Sequence, residues 1–303
     1  MKAKLFSPDG ALSGDVELPQ QFQEVIRPDL IKRAVLALQS HRMQPHGVDP
    51  DAGKKYSSKL SRRRRAYKGA YGIGISRVPR KILSHRGTRF NWMASTAPNT
   101  VGGMEAHPPQ TSKNLSRGIN IKERRKAIRS ALAASVTKEF VAKRGHLFGE
   151  YPLALENAVE DMKKTKEVLA LLRKIGFEKE LERSAKKTER TGDARRRGRA
   201  YKKRKGPLFV VSKKCSLMRS ALNIPGVEIV EVSSLNAELL APGAVPGRLT
   251  LYTKAAIERL GKEGLFTDSV VKVVEKGPDV KAEKPKAVKK PRAPKKEKPV
   301  AEK

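Results

Sequence analysis

Between residues 54 and 90 the chain carries 13 Lys and Arg and no Asp or Glu. Such a segment repels itself and contains nothing to offset the repulsion, so it cannot be the substance of a folded core. From Gln44 to Gln110 no hydrophobic periodicity is sustained, and Gly69, Gly72, Gly74, Gly87, Gly102, Gly103, Pro79, Pro98, Pro108 and Pro109 interrupt what there is. A loop of that length inside a folded chain is uncommon, and when it occurs it is usually functional or disordered. Any fold for this sequence must therefore carry residues 43–111 as an extended basic loop inserted into something else. The opposite charge has to come from outside.

Two further stretches carry most of the remaining excess: residues 186–206, with 11 Lys and Arg against 2 acids, and residues 276–303, with 11 against 4. The rest of the 303-residue chain, whose formal net charge is +35, is close to an ordinary globular domain. Nucleic acid is the first candidate partner, because each neutralised phosphate releases a condensed counterion. Membrane binding would call for an amphipathic or lipid signal as well. No apolar run approaches a membrane span, and the start, Met1-Lys-Ala-Lys-Leu-Phe6, lacks the apolar centre of a secretion signal, so a cytosolic location is expected. Cys215, the only cysteine, excludes an internal disulfide and a cysteine zinc cage and reads as a small core residue or an idle thiol. Pro278, Pro285, Pro291, Pro294 and Pro299 among lysines make 276–303 a disordered basic tail.

The frame lies in 1–42 and 112–275. Residues 2–6 and 15–18 flank the turn tetrad Ser7-Pro-Asp-Gly10 and predict a hairpin. Leu30, Ile31, Ala34, Val35 and Leu38 predict a helix from Pro28 to about Arg42. Ile128, Leu132, Val136 and Phe140 predict another, capped by Asn120 and stopped at Gly145. Beyond residue 150, strands at 152–155, 208–212, 227–232 and 249–252 alternate with helices at 158–174, 177–186, 213–222, 234–240 and 254–260. This alternation predicts an α/β fold with a mostly parallel sheet flanked by helices, and the basic loop inserted between its first two long helices.

An α/β sheet invites an enzymatic reading, and an RNA-modifying or RNA-cleaving enzyme is the alternative to a binding protein. The motifs for it are missing. Gly69-Ala-Tyr-Gly-Ile-Gly74 lacks dinucleotide-loop spacing and a preceding apolar strand, and neither a phosphate loop nor a nucleophile elbow occurs. His41, His46, His85, His107 and His146 form no helical zinc pair and read as RNA contacts or surface positions. Glu156, Glu160 and Asp161 read as a solvated helix face. No catalytic residue, metal site or cofactor is expected.

The chemistry that is present suits RNA. In the insertion, Lys54, Lys55, Lys59, Arg62, Arg63, Arg64, Arg65, Arg80, Lys81, Arg86 and Arg89 supply cations among Tyr56, Tyr67, Tyr71, Phe90 and Trp92. Guanidinium forks match phosphate oxygens, and aromatic rings stack on unpaired bases. Arg195, Arg196, Arg197, Arg199, Lys202, Lys203 and Arg204 offer a second set.

The ordered stretches Arg27-Pro-Asp-Leu-Ile-Lys-Arg-Ala-Val35, His41-Arg-Met-Gln44, Ser76-Arg-Val-Pro-Arg80, Glu105-Ala-His-Pro-Pro109, Lys122-Glu-Arg-Arg-Lys-Ala127, Arg144-Gly-His146, Arg197-Gly-Arg-Ala-Tyr201 and Leu240-Ala-Pro-Gly-Ala-Val-Pro-Gly-Arg-Leu-Thr250 carry a resemblance. Over residues 1–262 the chain resembles ribosomal protein L four of the large subunit, in its archaeal and eukaryotic form. The resemblance implies a structural constituent that organises large-subunit ribosomal RNA, with an α/β domain on the outer surface. It also implies a long loop threading between RNA helices to the constriction of the peptide exit tunnel. Lys68, Gly69, Tyr71 and Arg77 fall at the implied tunnel-lining tip. The implied partners are that RNA, neighbouring large-subunit proteins and the nascent polypeptide. Between Ile82 and Met104 the sequence departs from the family's Arg- and Gly-rich pattern, with Phe90-Asn-Trp-Met-Ala-Ser-Thr-Ala-Pro-Asn-Thr-Val101 in its place.

Overall fold

The computed structural model describes residues 1–268. In chain order the strand β1 (Lys2–Phe6) turns back into β2 (Leu12–Glu17), and helix α1 (Pro28–Ser40) follows. The insertion holds β3 (Arg80–Arg86) and β4 (Arg89–Ala94), after which come α2 (Ile121–Val136), α3 (Lys138–Lys143) and β5 (Leu153–Leu155). Helices α4 (Thr165–Lys174) and α5 (Glu178–Ala185) precede β6 (Lys187–Glu189), α6 (Asp193–Arg196) and β7 (Tyr201–Lys203). The chain then runs through β8 (Leu208–Val211), α7 (Leu217–Ser220), β9 (Glu228–Glu231), α8 (Ala237–Leu240), β10 (Thr250–Thr253) and α9 (Lys254–Lys262).

Six strands form the main sheet in the order β2-β1-β5-β10-β8-β9. Every pairing is parallel except β1 with β2, the hairpin whose turn closes with Gly10 N donating to Ser7 O at 3.0 Å. Gly10 takes φ +81, the left-handed conformation a side chain resists. Of the central strands, β5 and β8 are apolar throughout and β10 is buried along its length, because both faces are covered. Leu208 and Val210 of β8 face a core built on Ile31 and Val35 of α1 and Ile128 and Leu132 of α2. Phe209 and Val211 face the other, built on Val168, Leu171 and Leu172 of α4. The α/β architecture anticipated from the alternation is the one observed.

Several boundaries differ from the sequence expectation. The helix anticipated through to Gly145 ends at Val136, because Thr137 takes ψ 116 and its Oγ1 donates back to Ala133 O at 2.9 Å. Asn120 occupies the N-cap position without a side-chain cap bond. The helix anticipated over 158–174 is a 3-10 turn at Asn157–Asp161 followed by α4. Those anticipated over 213–222 and 234–240 shrink to the four-residue α7 and α8. Glu160, read as solvated, is buried: its carboxylate accepts from Ser212 N at 2.9 Å, Ser212 Oγ at 2.8 Å and Thr253 Oγ1 at 2.6 Å, joining β8 to β10. His146, read as an RNA contact or surface position, is also buried. The tail read over 276–303 lies outside the described residues.

The insertion leaves and re-enters between α1 and α2, which pack against one another. Its ends are held together where Arg117 N donates to Ser40 Oγ at 2.9 Å and His41 Nε2 meets Arg117 O at 3.1 Å.

Candidate nucleic-acid interface

The insertion is organised by pairing between its outgoing and returning arms. Val48 N donates to Pro109 O at 3.2 Å, Ser58 Oγ and Thr96 Oγ1 lie 3.3 Å apart, and Lys59 forms an antiparallel bridge with Arg80. At Gly53 the arms approach so closely that a Cβ would stand 2.3 Å from Gly103 O, and φ is +74. Glycine is required there on both counts.

Within the loop, β3 and β4 form a hairpin that the reading of an aperiodic insertion missed. Its signal was legible. Arg86 pairs with Arg89 across the two-residue turn Gly87-Thr88, with φ +58 at Gly87, and β4 alternates exposed and half-buried positions. A two-residue loop opening on Gly is a characteristic hairpin turn.

The hairpin gathers aromatic rings onto one surface. Phe90 lies 5.4 Å from Tyr67, 5.2 Å from Trp92 and 5.8 Å from His85, centroid to centroid. Cations sit over neighbouring rings: Arg80 over Trp92 at 5.8 Å and Lys81 over Tyr56 at 4.0 Å. Between the hairpin and the preceding turn lies a cleft of about 500 Å³, lined by Lys59, Tyr67, Lys68, Arg80, Ile82 and Trp92 among others. That volume lies within the range of small-molecule sites and accommodates a nucleobase. The Nε of Arg80 is buried without a partner among the described residues, while its Nη2 donates to Ser76 O and Oγ at 3.1 and 2.9 Å.

The remaining sequence-derived cations stand at the surface. Lys54, Lys55, Lys59, Arg62, Arg63, Arg64, Arg65, Arg86 and Arg89 are exposed, as are Arg195, Arg196, Arg197, Arg199, Lys202, Lys203 and Arg204. Three of them are partly neutralised: Lys55 by Asp49 at 2.5 Å, Arg195 by Glu189 at 3.3 Å and Arg196 by Asp193 at 3.4 Å. The Lys55 bond, with a second from Asp51 N, holds the Asp49 carboxyl below its usual range. The second basic segment is a small hairpin, β6 with β7, capped by α6. At the turn before the long hairpin, Arg64 and Arg77 both lie over the Tyr71 ring, at 5.5 and 4.6 Å, and Lys68 lies over Tyr67. Gly69 is fixed by crowding, since a Cβ would meet Ala66 O at 2.9 Å. Among the described residues no cluster of His, Cys, Asp and Glu could hold a metal ion, and no helix is long and apolar enough to cross a membrane.

An α/β frame that sends out two hairpin-bearing, acid-poor arms studded with guanidinium groups, most of them without an acidic partner among the described residues, defines a polyanion-binding scaffold of the ribonucleoprotein class. The chain belongs to the ribosomal protein L4/L1 family, whose model matches residues 16–263. It is 48% identical over 267 residues to the large ribosomal subunit protein uL4 of Nanoarchaeum equitans, covering 88% of this chain and 100% of that one. The protein of the same description from Archaeoglobus fulgidus is 45% identical over 264 residues, 86% of this chain and 99% of its own length. That from Methanospirillum hungatei is 44% identical over 265 residues, 87% of this chain and 100% of its own length.

Proposed function

We propose that the protein is a structural constituent of the large ribosomal subunit, working in the cytoplasm, where it binds and organises large-subunit ribosomal RNA. The observation that carries this reading is the insertion: a paired arm with a ring-lined cleft, and cations most of which have no acidic partner among the described residues. Its division of labour follows the charge. The globular frame is assigned to residues 1–42 and 112–275, of which 269–275 lie outside the described residues, and 43–111 act as the RNA-binding arm. Arg62 to Arg65, Arg80, Lys81, Arg86 and Arg89 meet phosphates, with Arg195 to Arg204 as a second contact. Tyr67 and Trp92 stack on unpaired bases. Lys68 and Gly69, with Tyr71 and the Arg77 guanidinium that lies over its ring, line the peptide exit tunnel and face the nascent polypeptide. Neighbouring large-subunit proteins complete the set of partners, and the protein acts by binding rather than by catalysis.

The test is the salt dependence of RNA binding. If about eight loop cations reach phosphates, the affinity for large-subunit ribosomal RNA falls with a log–log slope on the order of −6 to −7. Deleting 54–110 removes most of that slope and blocks incorporation into the large subunit. A salt-insensitive complex, or normal incorporation of the deletion variant, overturns the reading. Turnover of RNA by the purified protein would favour an enzyme instead.

A further inference from the structure

A second cleft, of about 810 Å³, lies away from the insertion, between the end of α3, the side of α5, strand β7 and the turn at Pro242–Val245. Lys143, Arg144, Arg183, Lys203 and Arg204 stand in its lining, and its single lining carboxylate, Glu238, is engaged by Arg42 at 2.6 Å. His146 also lines it, and the His146 side chain is 2% exposed. Its Nδ1 lies 2.6 Å from Glu180 Oε1, and its Nε2 has no partner among the described residues.

Counting protons fixes what that Nε2 presents. Arg183 Nη2 has two hydrogens, and both are used, on Glu180 Oε1 at 2.6 Å and Lys205 O at 2.8 Å. It also lies 3.1 Å from His146 Nδ1, but with both hydrogens engaged and a carboxylate oxygen 2.6 Å from Nδ1, that nitrogen is the donor to Glu180. In the neutral ring the other nitrogen then carries a lone pair. Burial favours that neutral form, and the Arg183 and Arg144 charges act in the same sense against the Glu180 carboxylate. The cleft thus offers one buried acceptor surrounded by cations. Arg183 Nη1 has no partner among the described residues, and Arg144 is held in place by donation to Val245 O and Pro242 O. Burial above all, with the nearby Arg248 and Arg183 adding to it, pushes the Arg144 guanidinium down to about 10.

We propose that this cleft is a second RNA site that takes one ribose-phosphate unit: the 2′-hydroxyl donates to His146 Nε2, and the adjoining phosphate accepts from Arg183 Nη1 and the cations at the rim. The inference deepens the RNA-binding role proposed above and rests on it. A phosphodiester alone satisfies the cations but has no hydrogen for Nε2, and a deoxyribose within a chain has none at the 2′ position either. The 2′-hydroxyl is the group by which a protein tells RNA from DNA at a given point.

The full chain labelled with nitrogen-15 histidine tests this, using triadenylate and its 2′-deoxy counterpart as probes. The expected result is a shift of the His146 Nε2 signal with the ribo-trinucleotide, at about 2- to 10-fold lower concentration than with the deoxy form. The variant His146→Asn, labelled instead with nitrogen-15 arginine and read at Arg183, which lines the same cleft, keeps a donor for Glu180, removes Nε2, and is expected to bind both trinucleotides equally. Equal shifts by the two probes, or none, overturn the proposal. So does a shift produced by an oligoglutamate peptide in place of RNA, which would give the cleft to an acidic protein partner. Salt-dependent binding of the wild-type chain to large-subunit ribosomal RNA reports separately on the insertion. Its presence beside a silent His146 signal rejects the cleft alone, and its absence beside a silent signal rejects both.

Discussion

Glu180 has no exposed surface, yet it joins three partners: Arg183 one turn along its own helix, and His146 Nδ1 and Leu147 N from the loop after α3, the last at 3.0 Å. Burial works to raise its pKa, and the hydrogen bonds from Arg183, His146 and Leu147 outweigh it, so the carboxyl is held below its ordinary 4.5. Removing it in Glu180→Ala leaves the half-buried Arg183 unpaired, and unfolding in urea is expected to show a loss of about 3–5 kcal/mol. The pH dependence has a definite sign. Both Glu180 and His146 have folded-state values below their unfolded ones, so acid is taken up by the unfolded chain first and stability is lost as pH falls. His146 contributes a loss beginning near its ordinary 6.5 and Glu180 a further one below 4.5. Urea midpoints measured across that range should fall in two stages, with His146→Asn lacking the upper one. None of this was readable in the sequence, where 34 residues separate His146 from Glu180 and only the fold makes them neighbours.

At the scale of elements, the loop hairpin makes a direct prediction. Trp92→Ala removes a ring that packs on Phe90 and lies beneath Arg80. Stacking on one base is worth about 1–3 kcal/mol by alanine substitution, so RNA affinity is expected to drop by that amount, as read in a filter-binding titration with the salt slope unchanged. A drop without change in slope separates stacking from phosphate contact. The hairpin also shows which parts of the fold were legible. β8, apolar throughout, declared itself as a strand buried on both faces, and the period of α1 was clear from Leu30 to Leu38. The Gly87-Thr88 turn was equally local but sat in a segment whose charge masked its alternation. The breaks at Thr137 and Asp161 were invisible for a different reason. The apolar period runs on from Val136 to Phe140, and the 3-10 turn at 157–161 is imposed by distant partners, Ser212 and Thr253, gripping Glu160. In the candidate interface, residue types and charge were legible, whereas the clefts depend on arms that meet only after folding.

For the whole molecule, the frame and the arm are separable in energy. The two cores draw on both sides of the sheet and contain no residue of the insertion. Replacing 54–110 with a short Gly-Ser linker should therefore leave the urea midpoint nearly unchanged, within about 1 kcal/mol, while the salt slope of RNA binding collapses. The reason lies in how the insertion is rooted. With Ser40 and His41 tied to Arg117, the chain between them is a closed ring, and ring closure grows only with the logarithm of its length, about 0.6 kcal/mol for each doubling. The reach of the arm is thus a nearly free variable, while its point of departure is set by two hydrogen bonds. A longer or shorter arm alters what the protein can touch without disturbing how it folds.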